Sequence, residues 1–202
     1  MASPRLASWV RRTVSERPTT AAGSPSTRRT NGAPSPSRVK APRVAEQVAL
    51  LAAAKAAEVA KQESDALVIG ADSLLEFHGK PLGKPADAAE ARDRWQRMAG
   101  RSGVLHTGQA LFDVQDGAVA SRDIAVASTV VYFASPTAQE LEAYVATGEP
   151  MAVAGAFTLD GLGAPFVRRV EGDPAAVVGL SLTLLRTQLA KRGLAITDLW
   201  RR

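Results

Sequence analysis

Apolar positions recur at helical spacing over residues 42–62, where Val44, Val48, Leu51 and Val59 share one face and alanine fills the turns between them. That period predicts a first amphipathic helix. Lys55 stands at the centre of the stripe, four residues from both Leu51 and Val59. Burying an unpaired ammonium is costly, so two readings stay open: the lysine snorkels to the surface, or it meets an anion in a cleft. Ala66-Leu67-Val68-Ile69-Gly70 is then an unbroken apolar run. It suits a strand covered on both faces, as in a parallel or mixed sheet. Gly70 and Ala71 predict a small, bare turn with Asp72 at its mouth; residues 73–77 continue as strand, and His78-Gly79-Lys80 turns the chain.

Further along, Asp87 opens an amphipathic helix that runs to about Met98, with Asp87 and Glu90 in a capping-box pattern and Gly100 as its stop. Residues 104–112 and 118–133 read as long strands joined by Asp116-Gly117, a hairpin signal. Pro136 and the pair Thr137 and Glu140 start another helix, which Gly148 ends. Ala154-Gly155-Ala156, ahead of Phe157, is a small-residue segment that admits close approach of a backbone or ligand. Residues 166–170 suit a strand, Gly172-Asp173-Pro174 a turn, and residues 181–192 a last helix with Gly193 just past it. From Val44 onward the order of elements is that of one compact α/β unit.

Composition sharpens this picture. At 202 residues the chain fits one domain, or one domain and a tail. Cysteine is absent, which excludes disulfides and thiolate metal sites. Two histidines, His78 and His106, argue against a His-based zinc site. No apolar run approaches the ~18 residues of a membrane span, and no apolar segment follows the N-terminal arginines as a secretory signal requires. The expectation is a cytoplasmic protein without a membrane partner. Charge is uneven: residues 1–44 carry nine basic side chains against Glu16 alone, so the remainder is net acidic although the whole chain is +5. The same stretch holds six of the twelve prolines. Such sequence buries too little to offset its chain entropy. Residues 1–41 are therefore expected to be a largely disordered or aberrant segment, and residues 42–202 the folded domain. The arginines suit either a nucleic-acid-binding arm or a solvated tail. Trp9 aside, no aromatic interleaves with them, which argues against nucleic acid as a partner.

Three places carry candidate chemistry. Asp72 follows an apolar strand, and ligands of open α/β sheets gather beyond the carboxyl ends of strands; the alternative is an Asp that bonds its own backbone in a turn. In Gly83-Lys84-Pro85 the proline pushes Lys84 into an extended conformation, glycine permits close approach, and the lysine offers a phosphate a point charge. The Walker pattern is absent, so this is no P-loop. In His106-Thr107-Gly108, Thr107 offers a hydroxyl beside open backbone, while the histidine suits a satisfied, half-buried role. A carboxylate and a lysine on rigid backbone fit a site for a metal and a polyphosphate.

Five segments in order resemble the Maf family of nucleoside triphosphate pyrophosphatases: Ala2-Ser3-Pro4-Arg5; Lys55-Ala56; Gly70-Ala71-Asp72-Ser73 with Gly83-Lys84-Pro85; Thr129-Val130 with Tyr144-Val145-Ala146-Thr147-Gly148-Glu149-Pro150; and Ala154-Gly155-Ala156-Phe157 with Gly172-Asp173-Pro174 through Val178-Gly179-Leu180. Thr158-Leu159-Asp160-Gly161 and the ending at Trp200 look like actinobacterial members. The resemblance implies a mixed, twisted sheet with flanking helices, similar to the inosine triphosphate pyrophosphatase fold, and commonly a homodimer. It implies hydrolysis of a nucleoside triphosphate to monophosphate and pyrophosphate with a divalent cation, Mg²⁺ or Mn²⁺, and a housecleaning role against non-standard nucleotides. Asp72 becomes the proton acceptor or a metal ligand. Lys55 and Lys84 hold phosphates, Ser3 and Arg5 match an N-terminal phosphate loop, and Thr107 is a further substrate contact.

The chain also departs from that pattern. Met1 stands where the phosphate loop should already be, so the family's first strand has no counterpart. Leu6 directly follows Arg5, and the basic tract replaces a second strand and an acidic pair read as a metal site. Asp160 stands where many members have Gln. If the tract is genuine, the expectation is that the fold persists from about residue 42 and that catalysis is impaired; the alternative is that the tract over residues 10–42 is the product of a shifted frame or start.

Overall fold

A computed structural model describes residues 43–200. The expectations for residues 1–41, and with them Ser3 and Arg5, lie outside the described residues. The order of elements is α1 (Val44–Ala60), β1 (Ala66–Phe77), β2 (Lys80–Leu82), α2 (Ala88–Met98), β3 (Ser102–Gln115), β4 (Ala118–Phe133), α3 (Ala138–Ala146), β5 (Val167–Glu171), α4 (Pro174–Val178) and α5 (Leu182–Ala190). The strands form one sheet in the order β2-β1-β3-β4-β5. The expected α/β class is borne out. Where a mixed sheet was expected, every strand pairing among the described residues is antiparallel.

Local chemistry set several boundaries as the sequence indicated. Asp116 (φ 51°) and Gly117 (φ 74°) form the two-residue hairpin between β3 and β4, where a primed turn needs both residues left-handed. Thr137 and Glu140 cap α3 reciprocally. Asp87 caps α2 by accepting the Glu90 N–H at 2.8 Å. The carboxylate of Glu90 does not complete that box: it accepts the Ala86 N–H at 2.7 Å and pairs with Arg94. The expected final helix is found as α5, and a short additional helix, α4, precedes it where a turn was expected. Asp173 caps a short α4, Gly179 (φ 134°) ends it, and Ser181 caps α5.

Two corrections concern β1 and α1. Gly70 and Ala71 form no turn. β1 runs unbroken through them, and Asp72 pairs with Gly108 in mid-strand. The continuous ladder with β3 overrides the local turn propensity of Gly-Ala-Asp-Ser. The buried face of α1 is Val44, Val48, Ala52, Ala56 and Ala60, while Leu51 is 43% exposed. The reason is steric. A Cβ on Gly70 would lie 2.3 Å from the Ala52 carbonyl oxygen, and one on Gly108 2.2 Å from that of Val48. The helix backbone thus rests on the sheet, and only its ridge of small residues fits there.

Strand alternation separates the two faces of the sheet. On one, Ala66, Val68, Ala110, Phe112 and Val114 pack under α1. On the other, Leu75, Phe77, Leu105, Val131 and Phe133 meet Trp95 of α2 and Leu141, Tyr144 and Val145 of α3. Leu111 on that same face meets Leu185 and Leu189 of α5. A buried amide pair ties α5 down: Gln109 Nε2 donates to Gln188 Oε1 at 2.9 Å, and Gln109 Oε1 accepts the Ser181 N–H at 3.0 Å.

The contact between α1 and the sheet has a direct test. Gly70→Ala must push the helix off the sheet and is expected to cost about 3 kcal/mol or more. For a domain of this size that is a fall in Tm of roughly 6–12 °C. Gly83→Ala, whose Cβ would meet only Leu74 Cδ2 at 3.5 Å, should cost under about 0.5 kcal/mol. Thermal denaturation of both variants decides the matter, and equal midpoints would show that the notch is not occupied by the helix.

Candidate active site

The close seating of α1 brings Lys55 over β1. Its ammonium donates to Asp72 Oδ1 in a short ion pair and to the Ala71 carbonyl at 3.1 Å. The lysine side chain is 40% exposed and the aspartate 19%. Lys55 therefore meets an anion while keeping part of its side chain in solvent, so it combines the two readings its position on the stripe left open. Asp72 does not bond its own backbone as a turn-forming Asp would; it stands on the α1 face, beside a helix that cannot move closer.

Ser73, the next residue, points to the opposite face. There its hydroxyl meets Thr107 Oγ1 at 2.8 Å, and Thr107 donates in turn to the Ala176 carbonyl at 2.8 Å. Thr107 is fully buried. It brackets α4 to the sheet and is not brought together with Lys55 and Asp72. His106 does lie on the Asp72 face, with Nδ1 2.8 Å from Ser128 Oγ and Nε2 3.0 Å from Glu76 Oε2. That is the satisfied, half-buried role expected of it.

Lys84 follows β2. Leu82 pairs with Leu75, and Gly83 comes next against Leu74, so the chain leaves the sheet edge at the level of the residues just after Asp72. The Lys84 side chain is exposed and its ammonium has no partner among the described residues. Its loop is fixed from below. Arg94 Nη1 donates to the Gly83 carbonyl at 2.5 Å, which also accepts the Gly155 N–H at 3.1 Å. Trp95 Nε1 donates to the Ala156 carbonyl at 2.7 Å. Neighbouring residues of α2 thus hold the Gly83-Lys84 loop and the Ala154-Gly155-Ala156 segment.

Two polar hubs were not visible in the sequence. The Asp173 carboxylate accepts the N–H groups of Ala175 and Ala176 and the Ser181 hydroxyl, the last at 2.5 Å. Its Gly-Asp-Pro setting signalled only a turn. Glu149 organises the loop that follows Phe157, accepting from Thr158 Oγ1 at 2.5 Å and from the N–H groups of Leu162 and Gly163, both at 3.1 Å. The Thr158 bond leads in holding its carboxyl below the usual range. Burial pushes the neighbouring Tyr144 hydroxyl up to about 12. No local signal marks Glu149, because its partners lie up to fourteen residues away.

Among the described residues no group of three or more His, Asp and Glu is arranged to hold a metal. None of their helices is long and apolar enough to cross a membrane.

The family model described as Maf-like protein matches residues 8–192, so the chain belongs to the Maf-like protein family. A Salinispora tropica protein is 61% identical over 141 residues, 70% of this chain and 61% of its own length. One from Streptomyces coelicolor is 54% identical over 164 residues, 80% of this chain and 78% of its own. One from Rhodococcus erythropolis is 49% identical over 159 residues, 76% of this chain and 75% of its own. Each is named nucleoside triphosphate pyrophosphatase. The chain spans less than two thirds of the length of the Salinispora protein.

Glu149 yields a pH-dependent expectation. A carboxyl whose folded pKa is depressed stabilises the protein above its unfolded pKa, and that stability is lost as pH falls through the folded value. Glu149→Gln should therefore cost about 1–2 kcal/mol at pH 7. The gap to the unaltered protein should narrow as pH falls below the ordinary carboxylate range. Denaturant melts at pH 7 and at acid pH measure it; a gap that widens in acid would contradict this role.

Proposed function

We propose that this protein hydrolyses nucleoside triphosphates to the monophosphate and pyrophosphate, in a housecleaning role against non-standard nucleotides. The observation that carries the reading is the pairing of Lys55 with Asp72 on a helix and a strand locked together by Gly70 and Gly108. The family membership and the names of the relatives support it.

A water oxygen attacks the α-phosphorus, the bond to the bridging oxygen of the β-phosphate breaks, and pyrophosphate leaves with that electron pair. Asp72 accepts the proton of the attacking water, a role that a fixed, partly exposed carboxylate can fill. Lys55, already beside Asp72, and Lys84, without a partner of its own among the described residues, supply positive charge to the phosphate oxygens. Pre-set charges of this kind need little reorganisation when the reaction occurs.

A divalent cation such as Mg²⁺ or Mn²⁺ fits the donor chemistry. Asp72 provides a hard carboxylate oxygen, and Mg²⁺ is commonly held by one or two carboxylates together with substrate phosphates. Asp72 would be the protein ligand, and the bound cation would neutralise charge on the phosphate oxygens.

The test is pyrophosphate release from a panel of nucleoside triphosphates with Mg²⁺ or Mn²⁺. Metal-dependent release is expected, with Asp72→Asn lowering kcat at least about 100-fold and Lys55→Ala raising KM. Nucleotide binding without release by folded protein would replace this reading with that of a nucleotide-binding protein impaired in catalysis.

A further inference from the structure

Arg94 is the one charged residue in the buried class among the described residues, its side chain only 6% exposed. Nothing in the local pattern of α2 demands a charge there. Replacing a whole buried ion pair by apolar residues is often neutral or stabilising, so fold stability alone does not require one here. Where the guanidinium points is therefore informative. Nη1 donates to the Gly83 carbonyl at 2.5 Å, and Nη2 lies 3.5 Å from the Lys84 carbonyl. Nε and Nη2 both donate to Glu90 Oε1, at 3.1 and 2.5 Å. The other oxygen of Glu90 accepts the Ala86 N–H at 2.7 Å.

The pair thus closes around residues 83–86. Arg94 takes the two carbonyls on one side of Pro85, Glu90 takes the N–H on the other, and the buried Pro85 has no N–H and a fixed φ. The carboxyl of Glu90 is held below its usual range, first by the Ala86 N–H and then by Arg94, so it stays ionised in the clasp. The Gly83 and Lys84 carbonyls and the Ala86 N–H are thus held, and the Lys84 ammonium is left without a partner among the described residues. Lysine lacks the five-donor planar fork that this arrangement uses.

We propose that Arg94, braced by Glu90, is a positioning residue that sets Lys84 for the triphosphate of the substrate. The proposal rests on the nucleotide reading given above. Arg94 touches neither Asp72 nor the reacting atoms and acts through Lys84.

A double-mutant cycle tests it with Lys84→Ala, Arg94→Met and the combined variant. For each protein the affinity for inorganic tripolyphosphate is measured by calorimetry, kcat/KM is measured for the best nucleotide, and Tm is recorded. Misplacing a positioned group by about 1 Å costs up to about 100-fold. Arg94→Met alone should accordingly lower affinity and kcat/KM by about 10- to 100-fold, mostly through KM. In the Lys84→Ala background it should lower them by less than about twofold. Arg94→Lys should fail to restore the loss. If Arg94→Met does not fold, Glu90→Gln replaces it in the cycle. Effects that multiply, or an Arg94→Met protein that behaves like the unaltered one, overturn the proposal. A protein that binds tripolyphosphate but releases no pyrophosphate defeats the functional reading, while the affinity cycle still decides the clasp. A protein that binds neither overturns both.

Discussion

The contact on which the rest of this structure depends is backbone against backbone. At Gly70 and Gly108 the helix α1 lies so close to β1 and β3 that no side chain fits between them. Small residues on both partners make that approach possible, and Ala52 and Ala56 of α1 complete it. A helix seated this deeply has little freedom to rotate, because turning a larger residue toward the sheet would lift it off. Its azimuth fixes where Lys55 emerges, one ridge away from the small-residue seam. Its height fixes how far that lysine must reach, which is to Asp72 and the Ala71 carbonyl. The electrostatics of the site are thus a consequence of sterics at two glycines.

The other face of the sheet does a different kind of work. There the core is aromatic. Trp95 meets Phe133, Tyr144 and Phe166 edge-on, and Phe133 meets Phe157. This cluster anchors α2, and α2 holds two loops by polar contacts from adjacent residues, Arg94 on the Gly83 carbonyl and Trp95 on the Ala156 carbonyl. Lys84 therefore owes its place to the helix on one face, and Lys55 owes its place to the helix on the other. β1 is the strand against which both arrangements are referenced, since Asp72 faces Lys55 while Leu74 and Leu75 lie against Gly83 and Gly155.

Much of this was legible wherever the physics is local. The Asp116-Gly117 turn, the Thr137 and Glu140 cap and the extent of β4 follow from residues within a few positions of one another. The candidate carboxylate and both lysines were also visible from residue type and spacing. What failed was non-local. The branched residues of α1 gave a plausible stripe, but the buried face was chosen by glycines that follow the helix in the chain. Gly-Ala-Asp-Ser reads as a turn until the ladder from Ala66 to Glu76 holds it extended. Thr107 looked available beside a glycine, yet strand alternation put it on the face away from Asp72. Glu149 and Asp173 stood in segments already singled out, but their roles as hubs were not legible, because their partners are assembled by loops whose paths the chain order does not reveal.

These two kinds of information meet at the register of β1. Side chains on a strand alternate, so a slip of one residue would exchange the positions of Asp72 and Ser73. The carboxylate would then enter the buried bracket with Thr107 and Ala176, where it would face a carbonyl, and a serine would stand beside Lys55. Hydrophobic patterning alone guards weakly against this slip, because Leu67, Val68 and Ile69 are apolar on both faces. The glycines guard strongly. Gly70 beneath Ala52 and Ala56, and Gly108 beneath Val48, are positions that Ile69 or Ala71 could not take without displacing the helix. Asp72 stands two residues beyond Gly70 and directly opposite Gly108. The requirement that seats the helix therefore also dictates which face of the sheet the carboxylate occupies. The site inherits its chemistry from a packing constraint that contains no polar group.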